Sequence, residues 1–428
     1  MRVESYPYRG RAWWGEALLA ESDRCLMVDR DDDQSVLCFP RIDIDFTLLR
    51  EEALPRSCPE GDASFWSTDV PRGTADSSDF ATWYSPETTA EDGRDVLRTF
   101  TDPSVDLGQL VGYGAFDPER VRLEVVDRWE DDDRCTTIKR FPTWGDAKHL
   151  IDVLDVRRDG DQSFMSTTRS NPRRPVVEGS QMLGQAIVAT GRHAPDRGVV
   201  SANMVFLRPA DSRRPLRFEL AELSAGRMFS TLAVQVLQED RRCATGTVLL
   251  GVVAPEVIRH AAEPPGVPGP HDCPPYDMGV TGRDIRIVDS AYTNDSGAPV
   301  GPPTLDAWVC FREVPDDPVL HAGLLAQFTG HMSIAAALRP HEGIGQDQAH
   351  RTLSMGINAI SLSLHQEVHA DHWMLYHHLS TFAGDGMTHS ECRVHDEGGE
   401  LVASFTVDAM VRPFPGSVTD KPDERTAL

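Results

Sequence analysis

Between residues 181 and 255 the chain runs through one helix-period segment, QMLGQAIVATGRH, and then four long runs of alternating character, VVSANMVFLRP, RPLRFELAELSAG, MFSTLAVQVLQED and RRCATGTVLLGVVAP. Apolar residues spaced three and four apart mark the helix, while period-two alternation rich in β-branched residues marks the strands. The links between runs are too short for the crossovers that parallel strands require. This order predicts a helix set against an antiparallel meander. A shorter amphipathic helix is predicted just upstream in DAKHLIDVLDV, with Ala147, Leu150, Ile151, Val153, Leu154 and Val156 on its apolar face.

The same order returns after a proline-rich stretch, AAEPPGVPGPHDCPPYDMGVTG at 261–282, which is too rigid and too poor in backbone donors for a core element. Beyond it come strands in DIRIVDSAY and LDAWVCFREV and a helix in HAGLLAQFTGHMSIAAAL. Further strands follow in AISLSLHQEV, HWMLYHHLSTFA, THSECRVHD and ELVASFTVDAMVR. Element order repeats although residue identity does not, which predicts two similar units packed side by side. Ahead of both, short apolar runs such as CLMVD, VLCF and VRLEVV between acidic and glycine turns predict a β-rich domain, closed by the charged segment RWEDDDRCTTIKR. The expected domains are 1–128, 145–258 and 283–414, with 259–282 as linker and 415–428 as a disordered tail.

At 428 residues, two or three domains are expected. A net charge of -25, from 42 basic and 67 acidic side chains, opposes nonspecific binding to nucleic acid or an anionic membrane. The eight cysteines form no Cys-x-x-Cys pair and no dense framework, so neither a zinc site nor a disulfide scaffold is expected. The start, MRVESYPYRGRAWWGE, has no signal-peptide pattern, and no run of about 18 apolar residues occurs. A soluble, reduced, cytoplasmic protein is the expectation. The histidines near residues 365–378 raise the question of a metal, but His365 and His369 on one strand would stand about 13 Å apart, too far to share an ion. No metal and no cofactor are expected.

Several separated motifs occur in an order that resembles the TesB-like acyl-CoA thioesterase II family. Gly179, Gln181, Gly184, Gln185 and Ala186 match its G-G-Q-x-x-G-Q-A helix. Phe206, Leu207, Arg208, Pro209 and Asp211 match F-L-R-P-G-D, and HWMLYHH and LVASFTVDAMVR match the close of the second half. The resemblance spans about 146–413. It implies an α+β double hotdog, two long helices wrapped by antiparallel sheet, preceded here by the small β-rich domain. It also implies a homodimer and an acyl-CoA or acyl-carrier-protein thioester as partner. Residues 10–127 are similar to the domain of unknown function 427 family through Cys58, Pro59, Phe65, Trp66, Ser67, Gly112, Tyr113, Ala115 and Phe116. Trp66, Trp83, Tyr84 and Tyr113 either line a pocket there or fill a core.

In the thioesterase family an Asp, a Ser or Thr and a Gln orient water against the thioester carbonyl. Alignment sets Gly330 at the Asp position and Val407 at the Gln position, while the hydroxyl position falls at Ile357, with Ser354 or Ser361 as alternatives. The family's usual water activation therefore lacks its acid and its amide. Glu178, entering the first helix, is the replacement carboxylate, or else a solvated helix-start acid. His331, next to the vacated Asp position, is a candidate base, or else a helix histidine satisfied by a carbonyl. The expected catalytic set is Glu178, His331, Ser361 and Asp408. Gln181, Asn203, Arg208, Gln327 and His365 are expected to contact substrate. Arg208, Arg213, Arg214 and Arg217 form either a basic rim for CoA or solvated strand ends. Three functions fit: a thioester hydrolase with displaced residues, acting on a biosynthetic intermediate; a non-hydrolytic dehydratase or cyclase; or a noncatalytic acyl-ligand module.

Overall fold

A computed structural model describes residues 2–6, 9–29, 35–71, 93–117, 120–126, 136–137, 147–167, 176–277, 283–291, 297–312, 314–349 and 352–413. Trp83, Tyr84, most of the charged segment and the C-terminal tail lie outside these residues. The described chain forms two compact units, one within residues 2–126 and the other within 147–413.

The first unit is built of strands and short 3-10 turns. Its core joins Trp14, Leu19, Phe39, Trp66 and Phe116. The Trp66 indole donates to the Thr99 hydroxyl (3.0 Å), and the Arg41 guanidinium lies over its ring. Trp66 is therefore a core residue with its polar edge satisfied, not a pocket wall. The half-buried Cys58 thiol donates to the Gly61 carbonyl (3.0 Å). Burial raises its pKa, which suits a structural thiol rather than a nucleophile.

The second unit begins with α1 (Ala147–Leu154) and α2 (Gly179–His193), then β1 (Gly198–Phe206), β2 (Arg217–Ala225), β3 (Phe229–Gln238) and β4 (Arg241–Gly251). The second half supplies β5 (Arg283–Ile287), β6 (Thr304–Phe311), α3 (Pro318–Phe328) and α4 (Ser333–Leu338). It closes with β7 (Leu353–Leu364), β8 (Met374–Gly384), β9 (Met387–Asp396) and β10 (Leu401–Pro413). These strands lie in one sheet in the order β2-β3-β4-β1-β7-β10-β9-β8-β6-β5, with two short strands, Arg157–Arg158 and Ser163–Met165, beyond β2. Antiparallel pairing of β1 with β7 joins the halves, with Met204 opposite Ile360 and Asn203 opposite Ser361.

The helices cross where neither has a side chain. A Cβ on Gly184 of α2 would come within 2.7 Å of the Gly323 carbonyl oxygen, and one on Gly323 of α3 would come within 2.9 Å of Val188. Ser, Thr or Ala at either position would separate the helices and open the layer beneath the sheet.

Three expectations need correction. The segment HAGLLAQFTGHMSIAAAL does not make one long helix: it stops at Phe328 and restarts at Ser333, with Met332 in the left-handed region (φ 69°). Strand β7 ends at Leu364, so His365 and His369 do not share a strand face. The proline-rich segment is also more than a spacer. Its Pro268 carbonyl accepts from the Trp308 indole (3.0 Å), the Ala262 carbonyl lies 3.3 Å from His395 Nε2, and Cys273 packs with Val288, Trp308 and Leu375. Tyr376 donates inward to the Leu325 carbonyl of α3 (3.3 Å), so its neighbour Leu375 faces the opposite side of the sheet. Proline's rigidity suits a strap lying on a preformed surface, because little backbone entropy is lost in docking it.

Gly184→Ala would raise helix propensity yet force the crossing apart. We expect a net loss of about 1–3 kcal/mol in urea unfolding. Unchanged or higher stability would show that the two backbones do not meet there.

Candidate active site

Glu178 is the residue on which α2 starts, in extended conformation (φ -64°, ψ 141°), and its side chain does not turn back to cap the helix. Its Oε2 instead accepts from Gln327 Nε2 of α3 at 3.2 Å. The chain then leaves α3 through Thr329, whose hydroxyl donates back to the Ala326 carbonyl (2.6 Å). It turns at His331, whose amide donates to the Phe328 carbonyl (3.0 Å). This break sets His331 Nε2 3.3 Å from Gln327 Nε2 and 3.8 Å from Glu178 Oε2. The Phe328 ring backs the imidazole at 4.9 Å. Met332, next in the chain, holds the uncommon positive φ that ends the turn.

An amide nitrogen only donates, so Gln327 placed between the two groups selects their proton states. Its hydrogens suit an ionised Glu178 and a His331 whose Nε2 carries a lone pair and whose proton sits on Nδ1. The Gln327 side chain is fully buried, and among the described residues its Oε1 has no hydrogen-bond partner. Glu178 and His331 keep 26% and 16% of their side chains exposed, so the cluster has a wet front and a dry back. Of the residues singled out in the sequence, the structure brings Glu178, His331 and Gln327 together.

The other expected residues stand elsewhere. Ser361 and Asn203 are cross-strand neighbours, both exposed, on the sheet face away from the helices. Asp408 lies on that outer face too, 2.7 Å from His389 Nδ1. Its neighbour Val407 is buried on the inner face between Ile360 and Ser390. His365 Nε2 is 2.8 Å from the Ser404 hydroxyl, away from Glu178. Gln181 is buried in the first turn of α2. Arg208 is exposed beyond the end of β1. Arg213, Arg214 and Arg217 are engaged by Asp211, Glu239 and Glu219, so most of the expected basic rim is neutralised in place.

A second polar group, unforeseen from sequence, lies on the inner face. His378 of β8 has Nδ1 3.0 Å from the Ser333 hydroxyl and 3.3 Å from Cys392 Sγ. Burial, then the nearby His377 and His331 charges, lowers its pKa to about 3. Burial raises the Cys392 thiol to about 12. This is a neutral hydrogen-bonded network, not an activated nucleophile. No local motif links Ser333, His378 and Cys392, because sheet register alone brings them together.

The chain matches the acyl-CoA thioesterase N-terminal domain over residues 168–251 and the acyl-CoA thioesterase C-terminal domain over 259–411. It is 25% identical over 283 residues to acyl-CoA thioesterase 2 of Haemophilus influenzae, covering 62% of this chain and 97% of that one. It is likewise 25% identical over 300 residues to mouse acyl-coenzyme A thioesterase 8, covering 63% and 92%. Among solved structures, the acyl-CoA thioesterase II TesB2 of Mycobacterium marinum superposes with TM-score 0.52 at 25% identity, over 62% of this chain and 98% of that one. A hot dog fold protein of unknown function from Alicyclobacillus acidocaldarius gives 0.51 at 16% identity, over 61% and 97%. The second unit thus has the double hotdog fold.

Because His378 is neutral when folded and titrates near 6.5 when unfolded, the unfolded chain binds the proton first as pH falls. From this group, stability should decline below about pH 6.5 by up to about 1.4 kcal/mol per pH unit. Histidine NMR titration checks it: a His378 midpoint between 6 and 7 would mean that the ring is open to solvent.

Proposed function

We infer that the protein, a member of the acyl-CoA thioesterase family over residues 168–411, is a thioester hydrolase whose acid is Glu178, supported by Gln327 and His331. The observation that carries this reading is the meeting of carboxylate, amide and imidazole within 3.8 Å at the start of α2. The first-turn amides of α2 have no intrahelical acceptors, so they are donors for the oxygen of a thioester carbonyl set at that end. In the step proposed, water attacks the carbonyl carbon while Glu178 takes its proton. The tetrahedral centre then collapses, the C–S bond breaks, and the proton passes to the leaving thiolate, giving a carboxylic acid and a thiol. Gln327 holds the carboxylate aimed, and His331 shields its open side.

The role of Gly330 and Val407 is then plain: the two positions are left without polar groups because the chemistry runs from α2. Ser361 and Asp408, which are on the other sheet face, have no part in this step. The same reading takes a CoA- or carrier-bound biosynthetic intermediate as substrate and a cytoplasmic homodimer as the working form. It assigns residues 10–127 to a domain similar to the domain of unknown function 427 family.

Glu178→Gln should lower thiol release from a panel of acyl-CoAs and acyl-pantetheines by about 10²–10⁴-fold, with little change in KM. His331→Ala should cost less. An undiminished rate in Glu178→Gln removes the carboxylate from the mechanism. A product that has lost water while keeping its thioester, seen by mass spectrometry, would move the protein to the non-hydrolytic class.

A further inference from the structure

Gly330 lies in the turn between α3 and α4, and its φ is not positive, so the backbone itself does not demand glycine. Space does. A Cβ there would stand 2.2 Å from Ser180 Oγ and 2.6 Å from Ser180 Cβ. Rotating the serine side chain moves the oxygen but leaves its Cβ where it is, since that atom is fixed by the backbone of α2. The next neighbour, Ile357 Cδ1, is at 3.4 Å, an ordinary contact. One side chain fills this corner, and it belongs to Ser180, which is buried.

We propose that Ser180 and Gly330 are a mutually exclusive pair: the serine at the start of α2 closes the corner to any side chain from the α3–α4 turn and so confines the site's acid to Glu178. Ser180 is thereby a positioning residue. This rests on the reading of Glu178 as the acid, but its steric half stands independently. Only Gly179 separates Ser180 from Glu178 along the chain, so the same helix start that brings in the carboxylate also blocks the competing position. A carboxylate admitted at 330 would enter the same corner, beside the first turn of α2 and near Glu178. Two acids there would each raise the other's pKa.

The test has two arms on the full-length protein. In the first, melting midpoints are compared for wild type, Gly330→Ala, Ser180→Gly and Ser180→Gly/Gly330→Ala. Gly330→Ala should melt lower than wild type, or fail to accumulate as folded protein. In the Ser180→Gly background the same change should cost nothing, because the tightest remaining neighbour is Ile357. Equal costs of Gly330→Ala in the two backgrounds overturn the exclusion. In the second arm, thiol release is followed against pH for Ser180→Gly/Gly330→Asp, with Glu178 retained or changed to Gln. With Glu178 retained, the acid limb should rise by about one pH unit or more. With Glu178→Gln, the aspartate should restore at least tenfold over Glu178→Gln alone. An unmoved limb together with no restoration overturns the claim that position 330 opens onto the acid's corner. If instead Glu178→Gln alone keeps full activity while the melting pattern holds, the steric pair survives and the assignment of the acid fails.

Discussion

The second unit depends on two backbones touching. With Gly184 and Gly323 at the crossing, α2 and α3 lie closer than side chains allow. That closeness has a chemical consequence. It brings the start of α2, where amides point outward, against the end of α3, where Gln327 sits, so a carboxylate on one helix and an amide on the other meet directly. Dipoles help: the N-terminal end of α2 favours the negative charge of Glu178. Move the helices apart by a methyl group and the 3.2 Å bond between Gln327 and Glu178 has no counterpart to keep it.

The break after α3 also lies against the start of α2. Gly330 faces the start of α2, and the chain turns through Thr329–Met332 before continuing as α4. The turn carries His331 to the front of the site and then, by restarting at Ser333, delivers a hydroxyl to the back. Ser333, His378 and Cys392 there hydrogen-bond to one another beneath Phe405. A buried polar network of this kind fixes the register of α4 on β8 and β9, since sliding would strand the imidazole among apolar side chains.

Much of this fold was legible in the sequence because hydrophobic periodicity is a local signal. The meander after α2, the matching strands of the second half and the separate β-rich unit could be read from alternation and turn residues. What escaped was tertiary. The helix break is invisible in HAGLLAQFTGHMSIAAAL, whose apolar residues recur on both sides of it and whose two glycines, Gly323 and Gly330, a helix tolerates. Ser361 was expected at the site because the aligned hydroxyl position falls near Ile357 and a loop length difference leaves Ser361 as an alternative. A bulge between Ile357 and Ala359 shifts the register, so that Ile360 and Leu362 turn inward and Ser361 turns out. Glu178, Gln327 and His331 could be singled out for a different reason, since each flanks a motif whose place in the family order was clear, but their meeting across two helices is set by the crossing and by no local pattern. The strap formed by the proline-rich segment was missed because donor-poor composition describes what a segment cannot do internally, and Trp308 supplies the donor from outside.

The two inner histidines show how burial decides chemistry for one residue type. His378 is wholly enclosed, meets only neutral partners, and is held unprotonated far below its ordinary range, so it serves packing and register. His331, about 16% exposed and backed by Phe328 on one side, faces an amide and a carboxylate on the other. There the proton has somewhere to come from and somewhere to go. Their mutual repulsion adds to the difference, because a charge on His331 further disfavours one on His378.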